Sequence, residues 1–129
     1  PEAALLSDSG PAGTEKEMLA QAEAILRSGA RAVLLKGGHG TGAESTDILF
    51  DGNDVQRFTA PRIATVNTHG TGCTLSAAIA AGLAQSLSLA DAVGQAKDYL
   101  QGALQAGAAM SVGQGNGPVH HFHRWWPAA

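Results

Sequence analysis

Three features of the chain predict an α/β fold. A helix patterned over residues 15–28 runs straight into a short continuous apolar strand, Arg31 to Lys36, the helix-to-strand succession of a layered sheet. Two extended stretches then flank Gly52-Asn53 as a hairpin, and Gly70-Thr71-Gly72 opens an alanine-rich helix. With 129 residues, 44% of them apolar and 15% charged, the chain can fill one modest core, one domain or half of one.

Each element has its own local reason. Ala3-Ala4-Leu5-Leu6 is a short apolar piece, and Ser7 to Gly13 is a loop by its turn chemistry. Thr14-Glu15-Lys16-Glu17 is a capping box, in which the Thr14 hydroxyl accepts from the third helical amide while Glu17 reaches back. Met18, Leu19, Ala22, Ile25 and Leu26 recur at helical spacing behind it, and Gly29 supplies the left-handed residue that ends the run. Ala32-Val33-Leu34-Leu35 reads as a buried strand that stops at Lys36, where Gly37-Gly38-His39-Gly40 begins a loop. Asp47–Asp51 and Asp54–Thr59 form the hairpin, Pro61 stops its second strand, and Arg62–Val66 is a further extended stretch.

The second half is helical. From Thr71 to about Leu87, the residues Leu75, Ala78, Ile79, Gly82 and Leu83 share one face, and Gly82 predicts close packing on the sheet. Ser88 caps a second helix over roughly 89–109, with Val93, Ala96, Leu100, Ala103, Leu104 and Ala108 as its buried stripe and Gly94, Gly102 and Gly107 at tight helix contacts. The tail from Gly113 is glycine-rich and then ring-rich. Its His120, His121 and His123 invite a metal, but adjacent histidines do not readily face one site, and no acidic or cysteine partner stands nearby.

Chemistry concentrates in Asn67-Thr68-His69-Gly70-Thr71-Gly72-Cys73. Two glycines two residues apart let the backbone turn tightly, and the helix that follows begins with amides lacking intrahelical partners and a partial positive charge. Anionic oxygen is the natural guest of such a terminus. Cys73, the chain's one cysteine, stands at its mouth; a buried small hydrophobe is the bland alternative, disfavoured by the preceding Gly-Thr-Gly. Lys36 is either a point charge for phosphate at a strand's carboxyl end or a surface lysine with a packed stem, and spacing leaves both open. Glu2, read alone, is a solvated carboxylate.

These residues resemble the anion-hole motif of ribokinase-like small-molecule kinases, in the version where cysteine replaces the usual aspartate base. That version resembles the hydroxymethylpyrimidine/phosphomethylpyrimidine kinase family of thiamine biosynthesis. Val33-Leu34-Leu35-Lys36-Gly37-Gly38-His39, Gly115-Asn116-Gly117-Pro118-Val119-His120-His121 and Pro1-Glu2-Ala3-Ala4 fit the same family. The resemblance implies the C-terminal, nucleotide-binding half of a three-layer α/β/α fold across residues 1–129, with the family's N-terminal half absent. A chain that opens on Pro1-Glu2, like the tail of an Asn-x-x-Glu motif, agrees with that expectation.

By resemblance, Cys73 is the base and Gly70, Thr71 and Gly72 cradle the transferring phosphoryl group. Lys36, Thr68 and His69 contact ATP, Glu2 organises Mg²⁺ through water, and His39 is a weaker candidate. The tail packs beside the nucleotide with its tryptophans as anchors. The implied acceptor is 4-amino-5-hydroxymethyl-2-methylpyrimidine and its monophosphate, with pyridoxal or pyridoxine as the rival and a non-catalytic nucleotide-binding fragment as the alternative of another class. A homodimer is implied too, and the missing N-terminal half is an expected partner.

Other classes fit poorly. A net charge of −3 with scattered Lys and Arg provides no basic field for nucleic acid. No apolar run approaches the roughly 20 residues that span a bilayer. A single cysteine forms no internal disulfide, which suits a cytoplasmic address. No P-loop and no strand-linked Gly-x-Gly-x-x-Gly occurs.

Overall fold

A computed structural model describes residues 1–37 and 41–126, and the chain divides into two compact units, Pro1–Pro61 and Arg62–Ala129. In the first unit, α1 (Glu2–Leu6) and α2 (Glu15–Leu26) precede β1 (Val33–Leu35), β2 (Glu44–Phe50) and β3 (Val55–Pro61). The piece read only as apolar, Ala3–Leu6, is thus a helical turn. The capping box of α2 forms in full: Thr14 Oγ1 accepts from the Glu17 amide at 3.3 Å, and Glu17 Oε2 accepts from Gly13 and Thr14 at 2.7 and 3.0 Å. α2 ends two residues earlier than its pattern suggested, and Gly29 takes the left-handed conformation at φ +109°.

The three strands form an antiparallel meander in the order β1-β2-β3, with Leu35 opposite Ile48 and Phe50 opposite Val55. The hairpin loop is therefore four residues, Asp51–Asp54, rather than Gly52-Asn53 alone. Asp51 Oδ1 accepts the amides of Asn53 and Asp54 at 2.9 and 2.8 Å, and Gly52 supplies φ +96°. The core of this unit is Ala22 of α2 against Val33, Leu35 and Phe50 of the sheet, with Met18, Leu19, Ile25, Leu26 and Val55 packed around them. The helical face anticipated for α2 is the face that is buried.

The second unit is a helical hairpin with a tail. α3 (Thr71–Ala84) and α4 (Leu89–Gly107) pack together, and Ser88 caps α4 by accepting from the Asp91 amide at 3.1 Å. A Schellman motif closes α3. Leu87 donates to Gly82 at 3.2 Å and Ser86 to Leu83 at 3.0 Å, with Ser86 left-handed at φ 65°. Arg62–Val66 joins no strand. Leu75, Val93, Ala96 and Ala103 are buried as expected, while Leu83 and Ala108 are exposed, because α3 and α4 bury only the stripes that face each other.

Three glycine assignments change. A Cβ at Gly82 would lie 3.0 Å from Ala92 Cβ, so this glycine admits α4. Cβ atoms at Gly102 and Gly107 would meet the tail, at His123 and at Val119–His120, where a second helix was expected.

Candidate functional site

α3 starts differently from its neighbours. Gly70 is its N-cap at φ +81°, a conformation that costs glycine little, and Thr74 closes the first turn on the Gly70 carbonyl at 2.8 Å. Thr71 donates back to the Thr68 carbonyl at 3.4 Å. No side chain caps α3 and its first turn contains no acid, whereas α2 carries Glu15 and Glu17 there and α4 carries Asp91 and the Ser88 cap. The positive end of the α3 dipole, worth about half a charge, is thus left for a guest, with the Gly72 and Cys73 amides in its first turn.

The Cys73 side chain is exposed and lines a groove of about 830 Å³ that runs beside α3 as far as Gln85. His69, Gly70, Ala77 and Ala81, Tyr99 of α4, and Arg124 and Trp125 of the tail line it as well. Its size lies within the range of small-molecule sites. Thr68, His69, Gly70, Thr71, Gly72 and Cys73 are therefore together in one loop-and-helix junction of the second unit.

The loop is held from below. Asn67, only 4% exposed, donates through Nδ2 to the carbonyls of Gly107 and Met110, both at 2.7 Å. His69 donates from its main chain to the Gly117 carbonyl at 3.1 Å and forms an isolated parallel bridge with Pro118. The sequence assigns Asn67 no role of its own, and only its place at the head of the glycine motif points to it.

The tail corrects an expectation. Trp125 and Trp126 are 68% and 59% exposed rather than buried as anchors. Trp126 stacks instead on Phe122 of its own turn, ring centres 4.4 Å apart. Anchorage comes from buried Val119, from the His120 amide on the Ala103 carbonyl at 2.9 Å, and from the His123 ring, which fits over Gly102 and lies 5.2 Å from the Tyr99 ring. Among the described residues no group of three or more His, Cys, Asp or Glu gathers as a metal would require.

The remaining predicted residues belong to the first unit. Lys36 is exposed just beyond β1, and the next amide, Gly37, donates to buried Asp47 of β2 at 2.9 Å. Glu2 is in the first turn of α1, with its carboxylate exposed. His39 lies outside the described residues. A single exposed carboxylate suits Mg²⁺ held mainly by phosphate oxygens and water, and does not amount to a protein cage.

Comparison with known proteins places this architecture among small-molecule kinases. The structure of the Staphylococcus aureus pyridoxal kinase in complex with AMP-PCP and pyridoxal matches 96% of this chain, over 46% of its own length, with a TM-score of 0.89 and 31% identity. The ADP complex of Bacillus subtilis pyridoxal kinase matches 95% of the chain, over 46% of its own, at 0.88 and 31%. The fold is thus the ribokinase-like α/β fold.

A family model described as phosphomethylpyrimidine kinase matches residues 1–120, and the chain belongs to that family. Hydroxymethylpyrimidine/phosphomethylpyrimidine kinases of Rhizobium meliloti and Escherichia coli are 60% identical over 125 residues and 55% over 126, covering 97% and 98% of this chain. The chain spans about half the length of these relatives, 47% of each.

Proposed function

We propose that this chain is the nucleotide-binding half of an ATP-dependent kinase that phosphorylates 4-amino-5-hydroxymethyl-2-methylpyrimidine, and then its monophosphate, in thiamine biosynthesis. The observation that carries the reading is the α3 terminus: an uncapped, acid-free first turn behind left-handed Gly70, with an exposed Cys73 lining a groove. The choice of acceptor is supported by 55–60% identity to hydroxymethylpyrimidine/phosphomethylpyrimidine kinases, against 31% to the pyridoxal kinases.

Phosphoryl transfer needs in-line geometry, neutralisation of spreading negative charge and a group to take a proton. In this reading the Gly70–Cys73 amides face the equatorial oxygens of the γ-phosphoryl group. Cys73 Sγ takes the proton of the acceptor hydroxyl as its oxygen bonds to phosphorus, while the bond to the ADP oxygen breaks. In the second round a phosphate oxygen is the acceptor. Lys36 pairs with the donor phosphates as a point charge, and Thr68 and His69 border them. Mg²⁺, when bound, neutralises phosphate charge, with Glu2 as the water-mediated protein contact.

The reading extends to a cytoplasmic homodimer completed by a segment equivalent to the relatives' other half. The test is Cys73→Ala in the completed enzyme. Turnover is expected to fall by at least about 100-fold, within the range for loss of a general base, with ATP affinity nearly unchanged. Full retained activity excludes the base role.

A further inference from the structure

We propose that Asn67 is a positioning residue, whose side-chain amide locks the glycine loop onto the end of α4 while packing against Gly117, and so fixes where the Gly72 and Cys73 amides point. The inference rests on the phosphoryl-transfer reading of that loop. Both Nδ2 hydrogens are spent, one on the Gly107 carbonyl and one on the Met110 carbonyl, each at 2.7 Å, in a side chain 4% exposed. Those carbonyls belong to the end of α4 and the turn beyond it, and the Gly107 carbonyl also accepts the Met110 amide at 3.0 Å, so the Asn67 amide grips the turn that closes the helix. The other side of the amide touches the tail: a Cβ on Gly117 would fall 2.1 Å from Asn67 Oδ1.

Two residues on, the His69 amide binds the Gly117 carbonyl at 3.1 Å, and the next residue is the left-handed N-cap of α3. A residue spans at most about 3.6 Å, so a loop pinned at Asn67 and again at His69 has little slack before Gly70. The lock thus ties residues 67–69 to the end of α4 and to Gly117, just ahead of the amides that must meet a phosphoryl group. Displacements of about 1 Å in such donors cost turnover on the order of 100-fold without abolishing binding.

The test uses Asn67→Asp, which keeps the shape but turns a donor into an oxygen facing two carbonyls, and Gly117→Ala, which attacks the same contact from the tail. In the completed enzyme each is expected to lower kcat per folded molecule by about 10- to 100-fold, with KM for ATP moving less than about threefold. The double variant is expected to be no worse than the poorer single one, because both break one lock. Amide hydrogen exchange is expected to quicken at residues 68–74 and to stay unchanged across α2. A kcat unchanged beside a lowered melting midpoint, an additive double variant, or unaltered exchange at residues 68–74 each overturns the proposal. If the unaltered enzyme transfers no phosphoryl group, the kinase reading fails, and the exchange result alone then decides whether the lock exists.

Discussion

Gly37 shows how little room single residues have in this chain. A Cβ there would lie 2.1 Å from the Thr46 carbonyl oxygen and 2.9 Å from its carbon, and neither is the movable end of a side chain. The Gly37 amide also holds buried Asp47, so the backbone cannot shift without loosening the exit of β1 toward Lys36. Gly37→Ala is expected to destabilise the fold by about 1–3 kcal/mol, measured as a lowered urea midpoint. Sequence reasoning found a loop here from its glycines but not the strand pressed against it, since closeness between residues 37 and 46 is a property of the folded sheet. Asn67 was hidden for the same reason, as an amide side chain reveals its partners only when segments 40 residues apart meet.

Helix ends were the most legible elements, because caps are local chemistry. The Glu17 carboxylate accepts from Gly13 and Thr14, and these bonds hold its carboxyl below the ordinary carboxylate range. A depressed folded-state pKa contributes stability that is present above the unfolded value and lost as pH falls through the folded one. Glu17→Gln is therefore expected to lower the melting midpoint at neutral pH, with the difference from the unaltered chain shrinking toward acid; an undiminished difference at pH about 2 would contradict this. At the other end of the scale of cap quality, Ser86 stands left-handed where glycine is preferred. Ser86→Gly is expected to add about 0.5–1 kcal/mol, read as a raised melting midpoint. Helix C-terminal boundaries were less exact, by two to three residues, because fraying and Schellman closure follow hydrogen bonds that periodicity does not contain.

For the whole molecule, the family is established and the activity is a proposal for a chain that spans about half of its relatives. Calorimetry with ATP addresses this directly. The chain by itself is expected to bind ATP without transferring phosphate, and turnover is expected once the remaining segment of the family fold is supplied. Turnover by the 129-residue chain alone would show that the glycine loop, Lys36 and Cys73 need no further half.

By itself the sequence determined α2, α3, α4, the hairpin and the glycine loop with its cysteine, because capping, periodicity and turn chemistry act over a few neighbouring residues, whereas the short α1 carries too little pattern to be read. Tertiary structure alone decided that Gly82 admits α4, that Gly102 and Gly107 admit the tail, that the tryptophans stay exposed, and that Asn67 ties the loop down. The physical reason is range: a side chain's burial and its hydrogen-bond partner depend on which distant segment arrives beside it, and no local pattern encodes that arrival.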